Sequence, residues 1–107
     1  MDSKLTVTAA SFEAAYKKFE QAEMVEFTAS WCPHCHHMAA VVDKLAKAYR
    51  DRVAILVLDV DQAPDVARQF GVSGVPSFVF VKEGKIVHRM AGEFSEADLR
   101  KHMDSLL

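Results

Sequence analysis

EMVEFTASWCPHCHHMAAVVDKLAKAYRD, running from Glu23 to Asp51, passes from β-forming residues through two cysteines into a helical pattern. Glu23–Ala29 reads as a strand, rich in residues that favour extended backbone. A helix is expected to begin near the cysteines and to continue with Met38, Val41, Val42, Leu45 and Tyr49 along one side. Trp31–Met38 holds both cysteines of the chain and three of its five histidines. Spacing alone admits three chemistries here: a redox dithiol, a haem attachment site of the Cys-x-x-Cys-His kind, and a metal site. A disulfide between cysteines this close would close only a tiny loop and add little stability, so a chemical role is favoured over a structural one.

Outward from this stretch the periodicities alternate. Lys4–Val7 is a short strand, and "TAASFEAAYKKFEQA" carries Phe12, Ala15, Tyr16 and Phe19 at helical spacing, with Thr8 or Ser11 as N-cap. "RVAILVLDVD" is a nearly unbroken apolar run, the signature of a strand buried on both faces. "APDVARQFG" fits a short helix with Pro64 in its first turn and Gly71 at its end. "VSGVPSFVFVKEGKIVHRMAG" reads as a hairpin turning at Glu83-Gly84. Ser95 then caps a last helix with Ala97, Leu99, Met103 and Leu106 as its expected buried stripe. The order β-α-β-α-β-α-β-β-α predicts an α/β fold over residues 1–107 as one domain. Its front half should form parallel strands and its hairpin an antiparallel edge of the same sheet.

Half of the 107 residues are apolar and 26% are charged, a composition that supports one core and argues against disorder. The formal charge is −2 and the basic residues are interleaved with acids, which argues against a nucleic-acid partner. The apolar runs have strand length, so no membrane span is expected. "MDSKLTV" has no apolar leader core. A cytoplasmic monomer is therefore expected, or a periplasmic protein if a signal was removed and Met1 added.

Taken together, these features resemble the thioredoxin family along nearly the whole chain. Four carry the resemblance: "EFTASWC" with Trp31 before Cys32, the Cys-x-x-Cys at the start of a long helix, "GVP" at Gly74–Pro76, and "KEGKIVHRMAG" ending at Gly92. The resemblance implies the thioredoxin fold, a cis bond before Pro76 and a substrate surface of Trp31, Gly74, Val75, Pro76 and Gly92. The pair inside the motif departs from it: Pro33-His34 gives "CPHC", found in strongly oxidising DsbA-type enzymes, where thioredoxin proper usually has Gly-Pro. Those enzymes carry a helical insertion for which this chain has no room.

The chemistry of such a site follows from its position. Cys32 at a helix N-terminus would meet free backbone N–H groups and the positive end of the helix dipole, which favour a nucleophilic thiolate. Cys35, one turn in, would be the resolving thiol. His34, and with it Pro33, would tune the pair toward a more oxidising potential. Glu26 stands where thioredoxins usually keep a buried aspartate and disulfide isomerases a glutamate, so the resemblance implies a proton acceptor for Cys35. Where thioredoxins usually set a lysine against that acid, this chain has Val57, which would leave Glu26 titrating higher. Pro76 would leave the backbone before it free to pair with an extended substrate. Ala40 replaces a proline that often kinks the helix, and a straighter helix is expected.

The function expected is protein thiol–disulfide exchange through Cys32–Cys35, with protein disulfides and dithiols as substrates and a reductase such as thioredoxin reductase as partner. No cofactor beyond the redox disulfide and no structural metal is expected. A periplasmic-type dithiol oxidase or isomerase is the alternative. "CPHCH" keeps a c-type haem carrier open, with His36 as axial ligand, although that asks for a helical shell. A zinc site would draw on Cys32 and Cys35 with His34, His36 or His37, ligands crowded into too short a span to surround an ion; His36 and His37 fit better as exposed helix residues. A non-catalytic binding module would leave the dithiol without a use.

Overall fold

A computed structural model describes residues 4–107, so the leaderless start read from Met1–Ser3 lies outside the described residues. The elements are β1 (Lys4–Val7), α1 (Phe12–Lys18), β2 (Ala22–Thr28), α2 (Pro33–Ala48), β3 (Ala54–Asp59), α3 (Pro64–Gln69), β4 (Ser77–Lys82), β5 (Lys85–Ala91) and α4 (Glu96–Asp104). They form one five-stranded sheet in the order β1-β3-β2-β4-β5. β1, β3 and β2 run parallel, β4 is antiparallel to β2, and β5 is antiparallel to β4. This is the mixed sheet that the alternating order implies.

Helices cover both faces. On one, Met24, Ile55, Phe78 and Phe80 of the strands pack with Met38, Val42 and Leu45 of α2 and with Leu99 and Met103 of α4. On the other, Val25, Phe27, Leu56 and Val79 pack with Phe12 of α1 and with Val66 and Ala67 of α3. The Tyr49 hydroxyl, just past α2, donates to the Asp104 carboxylate and ties the two helices of the first face together. Glu83 and Gly84 both have positive φ, the geometry of a tight hairpin turn that matches strand twist.

Two sequence expectations need correction. Of the two N-caps that the sequence allows, Thr8 is excluded: Thr8–Ser11 forms a separate turn in which the Ser11 hydroxyl accepts the Thr8 N–H at 2.9 Å, and α1 begins at Phe12, the first residue of its apolar pattern. Ser11 is the N-cap, but its side chain is spent on that turn rather than on the helix. Ala97 is exposed while Leu99, Met103 and Leu106 are buried. Two residues apart on a helix means about 200° of rotation, so Ala97 and Leu99 cannot share a face.

β2 is the central strand and is buried on both sides, so side chains of either parity are enclosed. Glu23 is therefore fully buried on the α1–α3 side, and neither of its carboxylate oxygens has a hydrogen-bond partner among the described residues. Burial, helped by the charge of Glu20, pushes its pKa up to about 8. Between the ordinary value of 4.5 and this one, the folded chain keeps a proton that the unfolded chain releases. Stability must then be greatest below that window and fall as pH rises through it. Melts followed by circular dichroism should show Tm falling between about pH 5 and about pH 9. Glu23→Gln, neutral throughout, should flatten the fall and gain most at the alkaline end, at roughly 4–8 °C per kcal/mol recovered. A variant curve parallel to the wild-type one would exclude Glu23 as the titrating group.

Candidate active site

The chain leaves β2 at Thr28 and enters α2 with Cys32 as N-cap in extended conformation. Pro33 takes the first helical position, where its missing N–H costs nothing. The Cys32 sulfur accepts the backbone N–H of Cys35 at 3.2 Å and lies 3.7 Å from the Val75 carbonyl, to which its thiol donates. Both cysteines are thiols, each only 3% exposed, and Ala29, Val60 and Val75 pack against them. An anion on Cys32 would be met by the donors and dipole of a helix N-terminus. Cys35 is different: burial and its hydrogen bond with Cys32 raise its pKa, against opposing hydrogen bonds from Thr28 and the Ala29 backbone. The two thiols thus differ in setting: Cys32 stands at the helix terminus, and the surroundings of Cys35 favour its protonated form.

Glu26 is 4% exposed and points to the α2 side of the sheet, the same side as Met24 and opposite to Val25 and Phe27. Glu26 and Cys35 line one cavity of about 230 Å³ together with Lys4, Thr28, His36 and Val57. Burial raises the Glu26 carboxyl to about 7, with Lys4 lowering it and Asp43 raising it. Val57 is indeed the residue opposite Glu26 on β3. The cation missing at that position is supplied instead by Lys4 of β1, which is itself bridged to Asp43 of α2. Nothing in the spacing of Lys4 and Glu26 predicts this, since β1 pairs with β3 and reaches Glu26 only across it.

The expected substrate surface surrounds the thiols. The Val75-Pro76 bond is cis, and the Pro76 carbonyl accepts the Gly92 N–H at 2.8 Å, which brings the two segments together. The Gly74 carbonyl accepts the Ser77 hydroxyl at 2.6 Å. Trp31 is 65% exposed, its indole N–H held by the Asp61 carboxylate at 2.6 Å.

The histidines fan outward. His34 Nδ1 bonds Glu93 at 2.8 Å rather than the Cys32 sulfur, so any influence on that sulfur acts through space. His37 Nδ1 meets the same Glu93 oxygen at 3.3 Å, and His36 Nε2 meets the Ser30 carbonyl at 2.7 Å. All three are exposed, as expected of His36 and His37. The haem reading asked for a helical shell, and the fold has a central sheet instead. α2 runs unbroken through Ala40. Lys4, Asp43, Asp61 and Glu93 are the site residues that sequence reasoning missed. Only the last had a local signal, an acid directly after Gly92.

Comparison with known proteins agrees with this geometry. The family model described as thioredoxin matches residues 3–105. The chain is 34% identical to a thioredoxin of Chlorobaculum thiosulfatiphilum over 87% of its length and 93% of the relative's. It is 31% identical to a thioredoxin of Acidithiobacillus ferridurans over 99% of its length and 98% of the relative's. Among solved structures, a mutant thioredoxin from Halobacterium salinarum NRC-1 superposes with a TM-score of 0.86 at 27% identity, covering 96% of this chain and 89% of that one.

The Lys4–Glu26 relation can be measured directly. Carboxyl-carbon NMR should find Glu26 titrating at about 7, and Lys4→Ala should move the midpoint higher by removing the one influence that lowers it. An unmoved midpoint would show that Lys4 does not act on Glu26.

Proposed function

The chain belongs to the thioredoxin family of protein thiol–disulfide oxidoreductases, and we propose that Cys32 and Cys35 are its working pair, as nucleophile and resolving thiol in a single thioredoxin-like domain. The observation that carries this reading is the Cys32 sulfur at the helix N-cap, 3.2 Å from the Cys35 N–H and next to the Val75 carbonyl. In the reducing direction, the Cys32 thiolate attacks one sulfur of a substrate disulfide. The bond between the substrate sulfurs breaks, a mixed disulfide forms, and the departing substrate thiolate takes a proton. Glu26 then accepts the Cys35 proton, and Cys35 attacks the Cys32 sulfur. The second substrate thiol leaves, the pair is oxidised by two electrons, and a reductase such as thioredoxin reductase restores the dithiol. An acceptor near neutrality suits this step, because it can both take and return a proton. Substrate is held as an extended chain along Trp31, Gly74, Val75, Pro76 and Gly92. No cofactor beyond the redox disulfide enters the reaction.

Within the family, Pro33-His34 makes the disulfide more oxidising than that of a standard thioredoxin, with His34 acting on the Cys32 sulfur through space. A cytoplasmic setting goes with the reducing direction. No helix among the described residues is long and apolar enough to cross a membrane. A periplasmic-type oxidase or isomerase is the second reading, favoured by the same dipeptide.

Equilibration with glutathione buffers, read by Trp31 fluorescence, should give a potential between roughly −270 and −120 mV. Replacing Pro33-His34 by Gly-Pro should move it toward the lower limit. A wild-type value already at that limit would remove the tuning, and the absence of any redox transition would remove the enzymatic reading. In an assay of protein disulfide reduction, Cys32→Ser should abolish turnover. Cys35→Ser should instead accumulate the mixed disulfide on Cys32, visible by mass; its accumulation on Cys35 in Cys32→Ser would show that the assigned order of attack is wrong.

A further inference from the structure

His34 and His37 are three apart on α2 and so project from the same side of one rigid helix. Glu93 arrives from the other end of the chain, directly after Gly92, whose N–H is tied to the Pro76 carbonyl. One ligand atom from each of the three side chains lies within 4.8 Å of the other two. Both imidazole Nδ1 atoms address the same Glu93 oxygen, at 2.8 and 3.3 Å. A tetrahedral ion with N and O ligands at about 2.0–2.1 Å needs its donors about 3.4 Å apart, so small side-chain rotations make room for one. Two imidazoles and one carboxylate are also a donor set that zinc takes in open sites, where a fourth position is left to solvent.

We propose that His34, His37 and Glu93 bind a divalent transition-metal ion of the zinc class at the rim of the dithiol surface. In the free site each Nδ1–H donates to the Glu93 carboxylate; when the ion binds, the neutral imidazoles carry their protons on Nε2 and present a bare Nδ1 to it. Glu93 presents its carboxylate, one oxygen of which both rings already address. The cysteines take no part in this site. It therefore differs from a cysteine–histidine zinc site, and it exists whether the dithiol is reduced or oxidised. Because Glu93 follows Gly92 and His34 lies inside the cysteine motif, a bound ion crosslinks two edges of the substrate surface and hinders docking there. This last consequence rests on the redox function proposed above; the binding itself does not.

Titration calorimetry with zinc chloride on the full chain in its disulfide form separates the two. One ion per chain is expected. His37→Ala and Glu93→Gln should each weaken binding by at least about tenfold. His36→Ala, whose ring faces the Ser30 carbonyl, should leave binding unchanged. Binding that survives both cluster substitutions would overturn the site, as would no binding to the disulfide form. Cobalt(II) checks the ligands on the reduced chain: d–d bands without a sulfur-to-cobalt charge-transfer band are expected. A strong charge-transfer band lost in Cys32→Ser would assign the ion to the thiols instead. Zinc should slow protein disulfide reduction by wild type and not by Glu93→Gln; equal slowing of both would overturn the docking consequence alone.

Discussion

The 3.2 Å hydrogen bond from the Cys35 N–H to the Cys32 sulfur depends on where helix α2 begins, and that is dictated by packing remote from it. Met38, Val42 and Leu45 seat the helix on the sheet, and Cys32 is then the first residue outside it. The strand registers do the rest. Thr28 of β2 lies beside Asp59 of the parallel β3, Phe27 lies beside Ser77 of the antiparallel β4, and Ser77 lies beside Ala91 of β5. The end of β2, the end of β3, the start of β4 and the end of β5 thus meet at one edge of the sheet. Cys32, Asp61, Pro76 and Gly92 each follow or precede one of those ends by a few residues, so they converge without needing contacts of their own. The site is a consequence of strand direction.

Strand β2 shows what a central position costs. Glu23 and Glu26 are three apart, so they point to opposite faces, and both faces are closed. Glu26 opens on a cavity shared with Cys35 and feels Lys4, and its carboxyl settles at about 7. Glu23 has neither, and sits at about 8 with both oxygens unpartnered among the described residues. A buried carboxyl is tolerable while neutral and expensive once ionised. At Glu26 that tension is placed on the cavity shared with the Cys35 thiol. At Glu23 it only limits stability toward alkaline pH.

The fold was legible because its signals are local. Apolar periods of two and 3.6, Pro64 in a first turn, Glu83-Gly84 in a tight turn and Ser95 before α4 each act within a few residues. The family resemblance turned those elements into one topology. Where local reading failed, it failed at helix edges: Ala97 counted as apolar, although its rotation from Leu99 sends it to solvent. The dithiol and its proline were legible as a motif. Lys4, Asp61 and Glu93 were not, because each meets its partner only after strands distant in sequence have aligned. Glu23 was hidden for another reason: alternation suggests one buried and one exposed glutamate, and a strand flanked on both faces buries both.

Lys4 also explains how the chain can do without a lysine at position 57. Val57 stands opposite Glu26 and is partly buried against the same core, so an ammonium there would give up part of its hydration. Lys4 lies on the edge strand β1, pairs with Ile55 and thus shares the α2 side of the sheet with Glu26. Its side chain remains a third exposed, with the amine bridged to Asp43. The charge therefore keeps its solvation and still acts on the buried acid. Asp43 opposes it, raising the Glu26 carboxyl that Lys4 lowers. A cation at the rim, bridged to Asp43, lowers the buried acid only in part, and the result is a carboxyl close to neutrality on the cavity it shares with Cys35.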